Sequence, residues 1–278
     1  MAPPTTVTVI GAGTMGRGIA MAALRSGRRV VLVDVEQSVL DAAAAHVADH
    51  FNRKPAAAAV ELRTSTDLES AVVGAGVVIE AVPEIPDLKA DIFKRLTAAD
   101  PSTLLVSNTS TMSITGLAEA CAGSDRVVGM HFFNPAHRMP LVEVVVGERT
   151  SDRARDDAVS LAVALGKDPV VVRDVPGFVT SRLGLLLGTE AMRMVEQGVA
   201  SAADIDKAMK LGYGHPMGPI ELADLVGLDA RLNNLRSMHD RTGDDRYRPP
   251  AILESLVTEG RLGKKTGSGF FSYDEVAS

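Results

Sequence analysis

Val7-Thr8-Val9-Ile10-Gly11-Ala12-Gly13-Thr14-Met15-Gly16 is the stretch that decides the fold, because it joins a β-branched run to a helical pattern through Gly-x-Gly-x-x-Gly. Gly11 suits a tight turn, Gly13 lets a pyrophosphate approach the backbone, and Gly16 allows the helix to pack closely on the strand. The N-terminus of that helix presents free backbone N–H groups to phosphates. Three glycines also suit a simple turn, so the motif needs support from its surroundings.

That support comes from Asp34, which follows the next predicted strand, Arg29–Val33. Its carboxylate stands where this motif binds the ribose hydroxyls of NAD. No arginine follows directly, so a 2′-phosphate would meet negative charge without a neutralising partner. The sequence therefore favours a dinucleotide site over a simple turn, and NAD over NADP.

Short β-branched runs alternate with helical patterns, which predicts a parallel sheet with helices on both faces. The predicted strands are Thr6–Ile10, Arg29–Val33, Gly76–Ala81, Thr103–Ser107, Val127–Phe132, Leu141–Val146 and Pro169–Val172. The helical patterns among the early strands are Thr14–Ser26, Glu36–Phe51, Leu88–Ala98 and Ile114–Cys121. No helical pattern separates Val127–Phe132 from Leu141–Val146, so we expect these two strands to pair antiparallel.

Helical patterns alone continue after Pro176. Ser181–Gln197 has apolar residues at helical spacing, and Ser201 begins a capping-box pattern for a helix expected to end at Gly212. A further helix is expected between Pro219 and Gly243. We therefore predict an α/β Rossmann-type NAD-binding domain over residues 1–175 and an all-α domain over residues 176–278.

The composition is that of a folded protein, since 46% of the 278 residues are hydrophobic and 23% are charged. A formal net charge of -6 argues against nucleic acid or an anionic membrane as the main partner. The single cysteine, Cys121, excludes a disulfide framework and a cysteine-based zinc site, and we predict no metal. No apolar run approaches the roughly 18 residues of a membrane helix. The N-terminus lacks a basic signal-peptide segment, so we expect a cytoplasmic protein.

Polar residues at strand ends indicate a catalytic site. Ser107-Asn108-Thr109-Ser110 leaves a predicted strand at its carboxyl end, where open α/β sheets bind ligands. His131 lies between large apolar residues, and Glu143 is alone in an apolar strand twelve residues later. Each is ordinary by itself, since a histidine in an apolar run is most often core and a strand glutamate is most often solvated. On adjacent strands they form a dyad in which the carboxylate orients the imidazole as a base.

Together these motifs resemble the L-3-hydroxyacyl-CoA dehydrogenases, including the short bacterial 3-hydroxybutyryl-CoA dehydrogenases, from Val9 to Tyr273. The segments that carry the resemblance are Val9-Ile10-Gly11-Ala12-Gly13-Thr14-Met15-Gly16, Ser107-Asn108-Thr109-Ser110, His131-Phe132-Phe133-Asn134-Pro135, Leu141-Val142-Glu143-Val144, Pro176-Gly177-Phe178-Val179, His215-Pro216-Met217-Gly218-Pro219 and Gly263-Lys264-Lys265-Thr266-Gly267.

The resemblance implies a role for each residue of the catalytic group. His131 is the expected general base for oxidation and general acid for reduction, and Glu143 orients it. Ser110 hydrogen-bonds the 3-oxygen of the substrate, and Asn134 sets the nicotinamide and the reacting atoms. The resemblance also implies that the helical domain, residues 176–278, binds substrate and forms a homodimer.

Residues near the cofactor are also implied by the resemblance, in addition to Gly11, Gly13, Gly16 and Asp34. Glu84 and Lys89 match family positions near the cofactor, and Lys265 matches a lysine that reaches toward it. For these three charged residues a solvated surface position is the alternative. Asn108 is expected to be a turn residue that contacts the cofactor.

Two departures from the family pattern concern the thioester. Most members have Val-Asn-Arg where this chain has Thr180-Ser181-Arg182, and Ser181 is a shorter hydrogen-bonding partner for the substrate. After Asp34 the family places a helical hairpin with serine and lysine contacts to CoA. Here that segment is short and rich in alanine, and its cationic residues are His46, His50, Arg53 and Lys54.

The resemblance thus implies NAD-dependent, reversible oxidation of a short L-3-hydroxyacyl-CoA such as 3-hydroxybutyryl-CoA, in fatty acid metabolism. One alternative is the same chemistry on a hydroxyacyl group tethered to acyl carrier protein. Another is an NAD-binding homologue without catalysis. A third is a dehydrogenase of free hydroxy acids, which needs a cationic anchor such as Arg138 or Arg182 for the carboxylate.

Overall fold

The computed structural model describes residues 6–54, 61–96 and 101–273. The chain divides into two compact units, the first ending at Phe178 and the second beginning at Val179. This division lies three residues after the boundary expected from the sequence. The first unit holds the sheet and the second is helical, so the predicted fold class is confirmed.

The first unit is built on a sheet whose strands are β1 (Thr6–Ile10), β2 (Arg29–Val33), β3 (Leu62–Ser65), β4 (Val77–Glu80), β5 (Leu104–Ser107), β6 (Val127–Phe132), β7 (Leu141–Val146) and β8 (Asp168–Arg173). Within the described residues the eight strands follow the order β3-β2-β1-β4-β5-β6-β7-β8. Strands β1 to β6 are parallel. The predicted antiparallel pairing is confirmed for β6 and β7, and β8 runs parallel to β7.

Helices cover both faces of this sheet. They are α1 (Thr14–Arg25), α2 (Gln37–Arg53), α3 (Leu68–Val72), α4 (Pro86–Arg95), α5 (Ile114–Ala120) and α6 (Asp152–Ala164). Because alternate strand residues point to opposite faces, Val77 and Ile79 of β4 join one apolar cluster while Val78 joins the other. The last two residues of the predicted helix Leu88–Ala98 lie outside the described residues.

Three elements of the first unit are not predicted by the sequence patterns. β3 is a four-residue strand at one edge of the sheet, and none of its residues is fully buried. α3 has five residues, and its N-cap is Asp67, whose side chain accepts from two backbone N–H groups. α6 follows the antiparallel pair and buries only part of its surface.

The second unit contains α7 (Thr180–Glu196), α8 (Ala202–Tyr213), α9 (Pro219–Val226), α10 (Leu228–Thr242) and α11 (Ala251–Thr258), with short 3-10 turns at Asp245–Tyr247 and Lys264–Thr266. Its apolar core includes Met192, Leu228, Leu235 and Leu253. None of the helices in the described part of the chain is long and apolar enough to cross a membrane.

Two helix ends differ from prediction. Ser201 does cap α8, since its Oγ accepts from the Asp204 N–H. The helix nevertheless continues through Gly212 and ends at Gly214, which has the positive φ of 69° that a left-handed cap requires. The predicted helix from Pro219 to Gly243 is two helices, because Gly227 adopts φ 104° and breaks the helical backbone between α9 and α10.

Candidate active site

The glycine-rich loop between β1 and α1 is held against its neighbours by close contacts. The Gly11 N–H donates to Val33 O at 2.7 Å, and a Cβ on Gly11 would lie 2.8 Å from Ala81 O. A Cβ on Gly16 would lie 1.7 Å from Gly11 O, so only glycine fits there. No atom of the described residues lies within 4 Å of a Cβ built on Gly13. The loop is therefore closely packed beneath its two outer glycines and open above the middle one.

This loop fits a dinucleotide. α1 begins after Gly13, and no side chain caps its first N–H groups, which suits an anionic pyrophosphate. Asp34 follows β2, and its carboxylate accepts from Ala12 N at 2.8 Å and Glu36 N at 3.2 Å. Because each carboxylate oxygen has two lone pairs, Asp34 can still accept from ribose hydroxyls while it fixes the loop.

A buried ion pair lies beneath the carboxyl ends of β4 and β5. Lys89 Nζ lies 2.8 Å and 3.0 Å from the two carboxylate oxygens of Glu80, and 3.1 Å from Glu84 Oε2. Ser107 Oγ also donates to Glu80 Oε2, at 2.7 Å. The Lys89 side chain is only 1% exposed, so it links two carboxylates instead of lying on the surface.

Glu84 connects this ion pair to Ser110. Glu84 Oε1 accepts from the Ser110 N–H at 2.6 Å and from Ser110 Oγ at 3.1 Å, and Thr109 Oγ1 donates to it at 2.8 Å. Burial raises the pKa of Glu84, but the charge of Lys89 and the hydrogen bonds from Ser110 and Thr109 outweigh it, so the pKa is lowered. The anionic carboxylate holds the loop that carries Ser110.

Asn108 joins the ends of two strands. Its side-chain oxygen accepts from the Phe132 N–H at 2.9 Å, and its own N–H donates to Glu80 O at 2.8 Å. These bonds fix the ends of β4, β5 and β6 relative to one another.

His131 and Glu143 form the dyad that the sequence suggests. They are paired directly across β6 and β7, and His131 Nδ1 lies 2.7 Å from Glu143 Oε2. His131 is 8% exposed and Glu143 is fully buried. The rings of Phe133 and Phe178 pack on the imidazole, with centroids 4.6 Å and 5.9 Å away. A carboxylate at Nδ1 keeps the proton there and leaves Nε2 as the acceptor.

Most of the site residues predicted from the sequence lie in the first unit, and two lie in the second. His131, Glu143, Asn108, Ser110, Glu84 and Lys89 all lie in the first unit with the glycine loop and Asp34. Asn134 is exposed and follows β6, before a cis peptide bond to Pro135. Ser181 and Lys265 lie in the second unit. Ser181 is in the first turn of α7, and Lys265 Nζ pairs with Asp229 at 2.6 Å.

Sequence reasoning missed Glu80, although a pattern for it exists. Glu80 is the acid that ends the apolar run Val77–Ile79, as Ser107 ends the run before it. The rule that singled out Ser107, a polar residue at the carboxyl end of a parallel strand, applies equally to Glu80.

Comparison with known proteins agrees with this geometry. Residues 6–175 match the family model described as 3-hydroxyacyl-CoA dehydrogenase, NAD binding domain. Residues 177–273 match the model described as 3-hydroxyacyl-CoA dehydrogenase, C-terminal domain. The chain belongs to the 3-hydroxyacyl-CoA dehydrogenase family. The NAD-binding prediction is confirmed by the same match.

Similar members of the 3-hydroxyacyl-CoA dehydrogenase family come from animals and bacteria. The chain is 42% identical to the mitochondrial hydroxyacyl-coenzyme A dehydrogenase of Sus scrofa, with 96% of this chain and 90% of the relative covered. It is 40% identical to a probable 3-hydroxybutyryl-CoA dehydrogenase of Bacillus subtilis, covering 98% of each. The crystal structure of (S)-3-hydroxybutyryl-CoA dehydrogenase from Ralstonia eutropha superposes with a TM-score of 0.91 at 38% identity, covering 98% of this chain and 100% of that one.

Proposed function

We propose that this protein catalyses the reversible, NAD-dependent oxidation of an L-3-hydroxyacyl-CoA to the 3-oxoacyl-CoA. A short acyl chain such as 3-hydroxybutyryl is the proposed substrate, as the names of the bacterial relatives indicate. The observation that carries the proposal is the buried His131–Glu143 pair at the carboxyl end of β6, in a chain of this family.

His131 and Glu143 perform the proton transfer. Nε2 of His131 accepts the proton of the 3-hydroxyl, and Glu143 stabilises the positive charge that then forms on the imidazole. When bound, NAD accepts the hydride that leaves C3, the carbon that carries the 3-hydroxyl. The Ser110 hydroxyl can rotate away from Glu84, which still accepts from the Ser110 N–H, and donate to the 3-oxygen while His131 takes the hydroxyl proton. Asn134 orients the reacting atoms.

The proposed cofactor site combines direct contacts with positioning residues. The loop shaped by Gly11 and Gly16 binds the pyrophosphate over Gly13, and Asp34 binds the ribose. Lys89 and Asn108 act on the site through Glu80, Glu84 and the strand ends. Lys265, held by Asp229, and Ser181, in the first turn of α7, are proposed as cofactor and substrate contacts from the second unit.

The proposed setting is fatty acid metabolism in the cytoplasm, with the protein acting as a homodimer. Support for the dimer comes from the helical unit, where several large apolar side chains are exposed. These are Leu183, Leu187, Leu211, Tyr213, Leu222, Leu225 and Val226. Apolar surface in this quantity is typical of an interaction site.

The test is reduction of acetoacetyl-CoA, followed by the absorbance of NADH, beside the same acetoacetyl group on acyl carrier protein. Rapid turnover of the CoA thioester is the expected result. Turnover only with acyl carrier protein would show that the carrier protein, and not CoA, carries the substrate. Absence of turnover with both, in a protein that still binds NADH, would contradict the proposed thioester chemistry.

A further inference from the structure

Basic side chains from three segments of the first unit lie close together. Arg25 at the end of α1 has Nη2 2.7 Å from Nε2 of His50 on α2. The rings of His50 and His137 meet edge to face, with centroids 5.0 Å apart. Arg138 follows in the same loop and acts electrostatically on both rings. We call Arg25, His50, His137 and Arg138 the basic cluster.

The loop that carries half of the basic cluster is firmly held. Lys167 is buried, and its Nζ donates to Ala136 O at 2.6 Å and to Met139 O at 2.8 Å. A Cβ on Gly18 would lie 3.0 Å from Ala136 Cβ, so the loop packs directly on α1. The same loop begins at Asn134, so His137 and Arg138 lie on the connection that follows the proposed reaction site.

In the described part of the chain the basic cluster has no carboxylate counter-ion. Among residues 6–54, 61–96 and 101–273, no carboxylate forms an ion pair with its members or with Lys167, and Nδ1 of His137 is buried without a hydrogen-bond partner. The charges that act most strongly on the two rings are all positive. Arg25, Arg138 and Lys167 therefore create a local positive potential in a chain with net charge -6, and an anion relieves it.

We infer that the basic cluster binds a phosphate group on the carrier of the thioester substrate. This inference rests on the proposed function. Guanidinium groups match phosphate oxygens with paired N–H donors, and both rings can donate once they are protonated. CoA and the phosphopantetheine arm of a carrier protein both contain phosphate esters, so the same chemistry serves either source.

Phosphate affinity is expected to rise as the pH falls. Burial, and then the neighbouring cations, lower the pKa of His50 and His137, so both rings are neutral near pH 7 in the free protein. A bound phosphate favours the protonated rings, so binding takes up protons. Asp49, beside His50 on α2, pairs with Arg53 instead. The other charged neighbours add positive charge and are His46 and Lys54 on α2 and Lys167 beneath the loop.

The experiment compares acetoacetyl-CoA with S-acetoacetyl-N-acetylcysteamine, which lacks phosphate. In His137→Gln and Arg138→Gln we expect the KM for acetoacetyl-CoA to rise roughly tenfold, because a charge-assisted hydrogen bond is lost. The kcat and the KM for the small thioester should not change. Arg155→Gln is the matched control, since Arg155 pairs with Asp152 on α6 and lies outside the basic cluster.

Two further arms complete the test. If the variants raise the KM only for acetoacetyl carrier protein, the bound phosphate belongs to its phosphopantetheine arm. If they raise the KM only for acetoacetyl-CoA, the phosphate belongs to CoA. In the wild-type protein, NMR titration should show the pKa of His50 and His137 raised by 3′,5′-ADP or inorganic phosphate. Unchanged histidine titration, or equal effects of the variants on both small-molecule thioesters, would overturn the phosphate site. No turnover of any thioester by the wild type would instead overturn the proposed function.

Discussion

His131 is the residue on which the proposed chemistry depends. It is buried between two phenylalanine rings and bonded through Nδ1 to Glu143, so Nε2 is the ring atom available for proton transfer. In His131→Ala we expect kcat to fall by roughly a hundredfold or more, the usual contribution of general acid–base catalysis. NADH affinity, measured by fluorescence titration, should stay within about twofold. Unchanged turnover in this variant would remove His131 from the mechanism.

Glu143 acts on the reaction through His131. The variant Glu143→Gln keeps the shape of the side chain and removes the charge that stabilises the imidazolium. We expect kcat to fall about 10- to 100-fold while the KM for acetoacetyl-CoA changes little, because a part of the acid–base contribution is lost. Steady-state kinetics with both parameters separated checks this. A change confined to KM would indicate a structural role for the carboxylate.

Glu84 links pH to the stability of the Ser110 loop. Its pKa is lowered from 4.5, because Lys89 and the hydrogen bonds of the loop favour the anion. The stabilisation is therefore present above pH 4.5 and is lost as the pH falls through the lowered pKa. We expect Glu84→Gln to be less stable than the wild type near pH 7, and this difference to shrink at about pH 3. Urea unfolding at both pH values measures it, and a difference independent of pH would contradict the assignment.

The sequence predicts some side-chain contacts better than others. His131 and Glu143 were paired because both lie in adjacent strands, where register alone brings them together. Lys89 was expected to be near the cofactor or in solvent, yet it is buried between Glu80 and Glu84. No local pattern shows that contact, since it depends on how α4 packs against the strand ends.

In the β1–loop–α1 element one glycine is required for close packing and another leaves space open for a ligand. In Gly16→Ala the new methyl would lie 1.7 Å from Gly11 O, so the loop must shift. We expect a loss of about 1–3 kcal/mol in the free energy of unfolding. Gly13→Ala meets no atom within 4 Å, so its stability should fall by less than about 1 kcal/mol.

NADH affinity should respond differently from stability in these variants. The methyl of Gly13→Ala occupies the open space through which a pyrophosphate approaches the backbone, and we expect the Kd for NADH to rise roughly tenfold or more. Isothermal titration calorimetry with NADH and urea unfolding of both variants provide the two measurements. Wild-type affinity in Gly13→Ala would show that the open space is not used by the cofactor.

Elements with strong periodicity were predicted, and elements without it were not. β6 and β7 are buried β-branched runs, and their bounds agree with prediction to the residue. β3 contains Arg63 and exposes most of its length, so it shows no apolar run. The apolar pattern continues from α9 across Gly227 into α10. The break between the two helices is therefore not visible in the sequence, because a positive φ at one glycine does not change the spacing of apolar residues.

At the scale of the whole molecule, the first unit contains two groups of charged side chains, and they differ in whether their charges are paired. Glu80 and Lys89 are buried, and Lys89 pairs with the carboxylates of both Glu80 and Glu84, so this group serves to fix strand ends. Within the described residues no carboxylate pairs with the basic cluster, so the cluster is suited to an external anion. The net charge of -6 argues against nucleic acid or an anionic membrane as a partner, but it does not show this local excess of positive charge.

The helical unit carries the apolar surface expected of a subunit interface. On α7, Leu183 is 62% exposed and Leu187 follows one turn later, while α9 exposes Leu222 and Leu225. A second copy of the chain can cover such a surface through two-fold symmetry, since each patch then contacts its equivalent. We expect sedimentation velocity at micromolar concentration to give twice the chain mass of 29.2 kDa.

Charge introduced into this surface should dissociate the proposed dimer. In Leu183→Glu and Leu225→Glu a buried carboxylate would meet apolar surface of the partner, so we expect the dissociation constant to rise at least about tenfold. Val163→Glu is the matched control, because Val163 is 60% exposed on α6 in the first unit. Equal dissociation by all three variants would point to a general effect of charge, and a monomeric wild type would contradict the homodimer. Retained NADH binding in the dissociated variants would show that the cofactor site of the first unit is complete within one chain.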